Sequence, residues 1–357
     1  MKFRPFSKVK IIYGVAIVCA FSIWNYFFSI AVEKNPPQSY DECMGVHFQP
    51  EKEYVYSREG FSKIKTDRFG FNNDNIEDPV DKNIDNIIFL GDSYTEAIYI
   101  KRKDNYVKQT EKLLNDAGYK FRSINLGASG NAVPDYIYNA SCFIQTFSPK
   151  YTVIQLHFND LIDESLRPEH GNKVVKDNNT FAISHTPQTQ KRTAHYVAEI
   201  TGWFQPALFR LLENAFISPR TKTTKGKAEK PQNLLEEKEK KEIQDIVDWQ
   251  MQELKRKYGE NLIILYFPPT PQIIDGKIVT EEIPAISEKR DLIFEGAEKN
   301  NVTIFNTEDM LVKYYQETRR MPRGFQNTQF GLGHLNADGN YIVADFLYKY
   351  FSNKFNR

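Results

Sequence analysis

Apolar runs of four to seven residues recur along the chain at 84–90, 121–125, 151–156, 262–267 and 302–305, each followed by polar or turn-forming residues. Between them lie stretches near 104–117, 133–147, 234–258, 285–299 and 337–351 that read as helices. Strands that are apolar throughout are buried on both faces, and their alternation with helices predicts a doubly wound, mostly parallel five-stranded sheet flanked by helices, of the flavodoxin-like three-layer kind. Upstream, 54–65 reads as a short antiparallel element, ending in Asp67-Arg68-Phe69-Gly70-Phe71-Asn72. The stretch 161–233 breaks the rhythm and is too long for a connection, so it is an insertion. Its centre, 196–216, carries Trp203, Phe204, Leu208, Phe209, Leu211 and Leu212 in a pattern fitting a short amphipathic helix broken near Pro206. Such a helix packs on the domain as a satellite, covers the site as a lid, or rests on a membrane. Next, 219–231 holds Arg220, Lys222, Lys225, Lys227 and Lys230 with almost no apolar residue, which predicts a solvated loop.

The N-terminus sets the expected compartment. Lys2, Arg4, Lys8 and Lys10 precede an uncharged apolar stretch at 11–32, long enough to cross a bilayer as a helix. Positive charge before the span keeps that end in the cytoplasm. The expected organisation is a cytoplasmic tail at 1–10, a transmembrane signal anchor at 11–32, a stalk at 33–53 and a catalytic domain at 54–357 in the periplasm or outside the cell. A cleaved signal peptide is the rival, although bulky Trp24, Tyr26, Phe27 and Phe28 stand where small residues precede a cleavage site. The 357 residues are 41% hydrophobic with a net charge of +1, enough for a large core and without the basic face of a nucleic-acid binder. Cys43 and Cys142 either pair in an oxidising compartment or remain two separate thiols. The six histidines are scattered without ligand spacing, so neither a metal nor a cofactor is expected.

The candidate chemistry begins where the first of these strands stops. Asn86-Ile87-Ile88-Phe89-Leu90 runs into Gly91-Asp92-Ser93-Tyr94, which delivers a serine at the carboxyl end of a strand, where open α/β sheets place their ligands. By itself this is equally a turn in which Asp92 and Ser93 cap the next helix. Three later segments join it: Asn125-Leu126-Gly127-Ala128-Ser129-Gly130-Asn131, His157-Phe158-Asn159-Asp160 and Gly333-His334-Leu335-Asn336. In order and spacing the four resemble the motifs of the SGNH (GDSL-type) serine hydrolases, over roughly residues 54 to 352. The resemblance implies Ser93 as nucleophile and His334 as its base, with the Ser93 and Gly130 amides and the Asn159 side chain as oxyanion donors. Asp92, Tyr94, His157 and Asp160 are expected to line the site.

Two departures from the family pattern bear on mechanism. The aspartate usual three residues before the histidine is Gly331 here. Either a backbone carbonyl orients His334, an acid such as Glu308 or Asp309 takes the place, or activity has been lost. His157 stands where that family's third motif begins with glycine; it either narrows the acyl pocket or packs at a strand end. Members tethered outside the membrane often act on O-acetyl groups of surface polysaccharides. An acylated glycan is therefore the expected substrate, for a deacetylase or an acetyltransferase. A lipid esterase of the lysophospholipase kind and a non-catalytic glycan-binding or assembly protein are the alternatives.

Overall fold

The computed structural model describes residues 8–31, 38–76, 84–166, 172–177, 180–185 and 234–356. The expected helix at 196–216 and the basic loop at 219–231 lie outside these residues.

Five parallel strands form the central sheet: β5 (Asp85–Leu90), β6 (Phe121–Asn125), β7 (Tyr151–Leu156), β10 (Leu262–Tyr266) and β13 (Thr303–Asn306), in the order β13-β10-β7-β5-β6. Strand β5 shows why its last four residues are all apolar. Ile87 and Phe89 enter one core with Tyr106, Val107 and Leu347, whereas Ile88 and Leu90 enter the other with Tyr136, Val247 and Met251, and all four strand residues are 0% exposed. The helices responsible are α3 (Tyr106–Asp116) and α9 (Ala337–Phe355) on the first face, and α4 (Val133–Phe147), α6 (Glu237–Tyr258) and α7 (Pro284–Lys299) on the second.

From β5 the chain passes through α3 to β6 on one side, then returns through α4 to β7 on the other. Opposite travel from one strand places the two connecting helices on opposite faces and opens a crevice at the carboxyl ends of β5 and β7, the topological switch point at which such sheets hold their ligands. The strand-end loop bearing Ser93 and the turn bearing Asn159 flank this crevice.

Three regions differ from the sequence reading. Residues 38–48, within the segment read as a stalk, form the antiparallel hairpin β1 (Gln38–Asp41) and β2 (Gly45–Phe48), with Met44, Val46 and Phe48 buried. Its Cys43 forms a disulfide with Cys142 of α4, at a Cα separation of 5.3 Å. A second hairpin, β3 (Glu53–Tyr56) and β4 (Ser62–Lys65), follows. The insertion includes β8 (Asn172–Asp177) and β9 (Thr180–His185), tied to α4 through Asn172 Nδ2 and Asp135 Oδ1 at 2.8 Å. Glu308–Thr318, for which no helix was expected, is the helix α8, with Leu311 buried against the sheet. The N-terminal helix α1 (Lys8–Ala31) has 24 residues. At 1.5 Å per residue it reaches about 36 Å, longer than a hydrocarbon core of about 30 Å. It is a candidate membrane span, exposed along its apolar length.

The disulfide closes a loop of 99 residues. Cross-links over such loops typically contribute about 2–4 kcal/mol, mainly by restricting the unfolded chain. Replacing both cysteines by serine should lower the unfolding free energy by about that much in urea titration; an unchanged midpoint would show that packing alone holds the hairpin.

Candidate active site

Ser93 opens the single-turn helix α2 (Ser93–Glu96) directly after β5. Asp92 caps that turn, its Oδ1 accepting from the Tyr94 amide at 2.8 Å, so the aspartate serves the backbone as the turn chemistry predicts. The Gln155 side chain on β7 accepts from the Asp92 amide at 3.3 Å and from Thr95 Oγ1 at 3.2 Å, fixing the turn to the neighbouring strand. As the first residue of a helical turn Ser93 has no intrahelical acceptor for its own N–H. Among the described residues no protein group accepts that hydrogen, nor the Gly130 amide hydrogen, and no partner engages the Asn159 side chain. Three donors at the ends of β5, β6 and β7 are thus left unengaged.

His334 precedes α9, whose first turn is capped by Asn336 Oδ1 accepting from the Asp338 and Gly339 amides at 3.1 and 3.2 Å. The ring reaches Ser93 Oγ through Nε2 at 2.7 Å. Nδ1 lies 2.6 Å from Oε2 of Glu59, and the His334 backbone N–H donates to Oε1 of the same carboxylate at 2.7 Å. A carboxylate accepts only, so Nδ1 carries the proton and Nε2 is left to accept the serine hydroxyl. The carboxylate that meets the imidazole is therefore Glu59, in the β3–β4 turn. Neither acid considered from the sequence serves: Glu308 is taken by Thr270 Oγ1 at 2.7 Å and Arg290 at 3.4 Å, and Asp309 is exposed in the first turn of α8.

The missing aspartate has a steric counterpart. Gly331 has φ +81°, and a Cβ there would stand 2.7 Å from Ile273 Cγ1, so a side chain at that position is excluded. At Gly333 a Cβ would fall 2.2 Å from Oε1 of Glu59, so this glycine makes the room that the incoming carboxylate fills. Asn327 fixes the far side of the acid's turn. Its Oδ1 accepts from the Gly60 amide at 2.8 Å, and its Nδ2 donates to the Ser57 and Gly60 carbonyls at 2.8 and 2.9 Å.

Aromatic rings and one buried cation surround the pair. Tyr99 stacks on the His334 ring with centroids 4.4 Å apart, and Tyr94 lies against it at 4.8 Å. Arg323, 3% exposed, donates to the Pro268 carbonyl and reaches the Gly333 carbonyl at 3.3 Å. Burial pushes the Glu59 carboxyl up, but the His334 hydrogen bonds and charge, with the field of Arg323, outweigh it and hold the group below the usual carboxylate range. His157 lies parallel to Tyr94 at 6.1 Å; burial, then the charges of Arg323 and His334, lower it to about 3, so it is a neutral ring at physiological pH. Asp160 is turned inward, its Oδ2 accepting from the His157 amide at 2.8 Å, and it braces the turn that carries Asn159. Among the described residues no group of acids, histidines and cysteines is arranged to hold a metal ion.

Glu96 and Arg323 are also parts of this region that the sequence did not indicate. Glu96 is 2% exposed and accepts from Ser129 Oγ, next to Gly130. Burial raises its carboxyl to about 7, partly offset by hydrogen bonds from Ser129. A raised acid pKa means that the folded state holds the proton more tightly. Stability is therefore full below the unfolded value of about 4.5 and declines as pH rises to about 7. Wild type should lose more stability than Glu96→Gln between pH 5 and 7 in parallel thermal melts; identical profiles would show that Glu96 titrates normally.

No family model matches the chain. A curated protein, the DNA-directed RNA polymerase subunit beta of Eimeria tenella, is 25% identical over 231 residues, covering 63% of this chain and 19% of that protein. The chain thus spans about a fifth of that relative's length. Among solved structures, the acetyl xylan esterase AlAXEase aligns with a TM-score of 0.41 and 17% identity, over 74% of this chain and 98% of its own. TesA aligns at 0.39 and 12%, over 75% and 98%. The lipase/acylhydrolase from Enterococcus faecalis aligns at 0.40 and 12%, over 76% and 97%. Likeness at this level assigns neither family nor activity.

Proposed function

We propose that the protein is a serine esterase or acyltransferase acting on acyl esters, with Ser93 as nucleophile, His334 as general base and Glu59 as the acid that orients it. The observation that carries this reading is the continuous hydrogen-bonded series Ser93 Oγ, His334 Nε2, His334 Nδ1, Glu59 Oε2, at 2.7 and 2.6 Å. A serine hydroxyl is a poor nucleophile until a base removes its proton, and a base is effective only in the tautomer that presents its lone pair to that proton.

In this mechanism Ser93 Oγ attacks the ester carbonyl as its proton passes to His334 Nε2. The new imidazolium is stabilised by the Glu59 carboxylate, which remains charged. The carbonyl oxygen becomes an oxyanion facing the unengaged Ser93 and Gly130 amides and the Asn159 side chain. Collapse expels the alcohol with the proton held by His334, leaving an acyl-serine. Water completes hydrolysis, or a sugar hydroxyl completes transfer, by the same steps in reverse. The neutral ring of His157 adds polar bulk beside Tyr94 without a charge that would compete with the oxyanion.

The substrate class proposed is an O-acetylated glycan outside the cytoplasm, resting on the motif resemblance and on the apolar N-terminal helix behind a basic tail. A disulfide between Cys43 and Cys142 suits an oxidising compartment.

The test is p-nitrophenyl acetate turnover by the full chain in detergent. Ser93→Ala and His334→Ala should fall to background, and Glu59→Gln should lose on the order of 10²–10⁴ in kcat, the range for losing an orienting acid. An unaffected Glu59→Gln would return the site to a Ser–His dyad. Wild-type turnover at background, with p-nitrophenyl acetate and with an acetylated xylan, would remove the esterase reading.

A further inference from the structure

A polar cavity lies at the edge of the sheet, and His334 is not among its lining residues. It has a volume of about 130 Å³ and is enclosed by the Asn72–Ile76 loop, Arg102, the first turns of α3 and the edge strand β6. Liquid water occupies about 30 Å³ per molecule, so the space would hold roughly four waters or a small organic ion.

Its charged walls are mostly paired. Asp74 holds Arg102 at 3.0 Å and Lys108 at 2.8 Å. Lys108 also contacts Glu111, whose other oxygen accepts from the Ser123 amide at 2.8 Å. Arg122 is different: no carboxylate meets it among the described residues, and its Nη1 is buried without a hydrogen-bond partner. Ser123, only 8% exposed, has a buried Oγ that is likewise unpartnered. A buried polar atom left without a partner is costly. Consecutive on β6, the two side chains leave opposite faces of the sheet, so it is the orphaned guanidinium nitrogen of Arg122 that calls for an acceptor carrying negative charge.

The charge of that acceptor follows from the walls. Among the described residues Arg102, Lys108 and Arg122 against Asp74 and Glu111 leave one positive charge. A monoanion neutralises the cavity, whereas a dianion would meet two carboxylates. We infer that this cavity is a binding site for a carboxylate monoanion, whether a free small acid or the acid group of a sugar, held by Arg122. The amides of Asn72, Asn105 and Asn125 on the same wall are already committed, donating to the Glu96 and Thr95 carbonyls at 2.9, 3.0 and 2.6 Å. They form a rigid back to the site rather than part of the binding set.

The experiment is calorimetric titration of the full chain in detergent with sodium acetate and sodium glucuronate, at constant ionic strength against chloride, with inorganic phosphate as a third probe. Expected is saturable carboxylate binding at millimolar concentrations or tighter, weakened at least tenfold by Arg122→Gln and less by Arg122→Lys, which keeps the charge without the planar fork. Ser93→Ala should bind as wild type does, which separates this site from product binding at the serine. No saturable binding by wild type would mean that water alone fills the cavity, and would overturn the inference. So would equal binding by Arg122→Gln, or tighter binding of phosphate than of acetate. Should Arg122→Gln fail to fold by circular dichroism, Arg122→Lys decides by the same criterion.

Discussion

One carboxylate holds the candidate site together. Glu59 accepts from both the ring and the backbone of His334. Two bonds to one residue fix ring rotation and loop position together, which a single contact would not. Several features of the surrounding chain follow from that contact. Gly333 lacks the Cβ that would displace the carboxylate. Asn327 grips the acid's turn from behind, and Arg323 holds the Gly333 carbonyl from beneath. Arg323 also supplies a buried positive charge that favours ionised Glu59 and an uncharged His157.

The same arrangement sorts the acids around the serine by environment. Glu59 has a cationic neighbour and stays ionised, whereas Asp92 and Glu96, desolvated behind the turn, are pushed toward their neutral forms. Where carboxylates crowd a low-dielectric space, differences in partner and solvation decide which one carries charge. Here the acid that touches the imidazole is the one held below the usual carboxylate range, while burial raises the two acids behind the Ser93 turn.

Much of this was legible in the sequence, because the local signals were strong. All five sheet strands read correctly from short apolar-rich segments alternating with helices, and four of the five expected core helices appear within a few residues of their expected bounds, with the last extending to Phe355. Ser93 and His334 were brought together as their motifs implied. Glu59 was not legible. Arg58-Glu59-Gly60 between two short strands looks like any exposed turn, and its value comes from a partner 275 residues away. The trace it left was indirect: glycines at 331 and 333, where a side chain would collide with Ile273 or with the arriving acid. Helix α8 was missed because its buried face is narrow, with Leu311 as its one fully buried residue. The β1–β2 hairpin was missed because Pro36 and Pro37 suggested an extended stalk, while what ties it back lies far along the chain, in the disulfide to Cys142 and the Asn139 side chain of α4.

That the acid stands before the first strand of the sheet, and the base just before its last helix, has a consequence in time. The chain leaves the ribosome from its N-terminal end, so Glu59 emerges early and waits. All five strands can associate before residue 334 exists. The sheet is therefore a frame that forms ahead of the Ser93–His334–Glu59 series, and the Ser93 turn can be complete before the imidazole arrives. The series depends on closing a contact of very long sequence separation, the kind that forms late because the intervening loop must be ordered first. A chain interrupted late in synthesis would hold the folded sheet and the serine, with the place of the imidazole still empty.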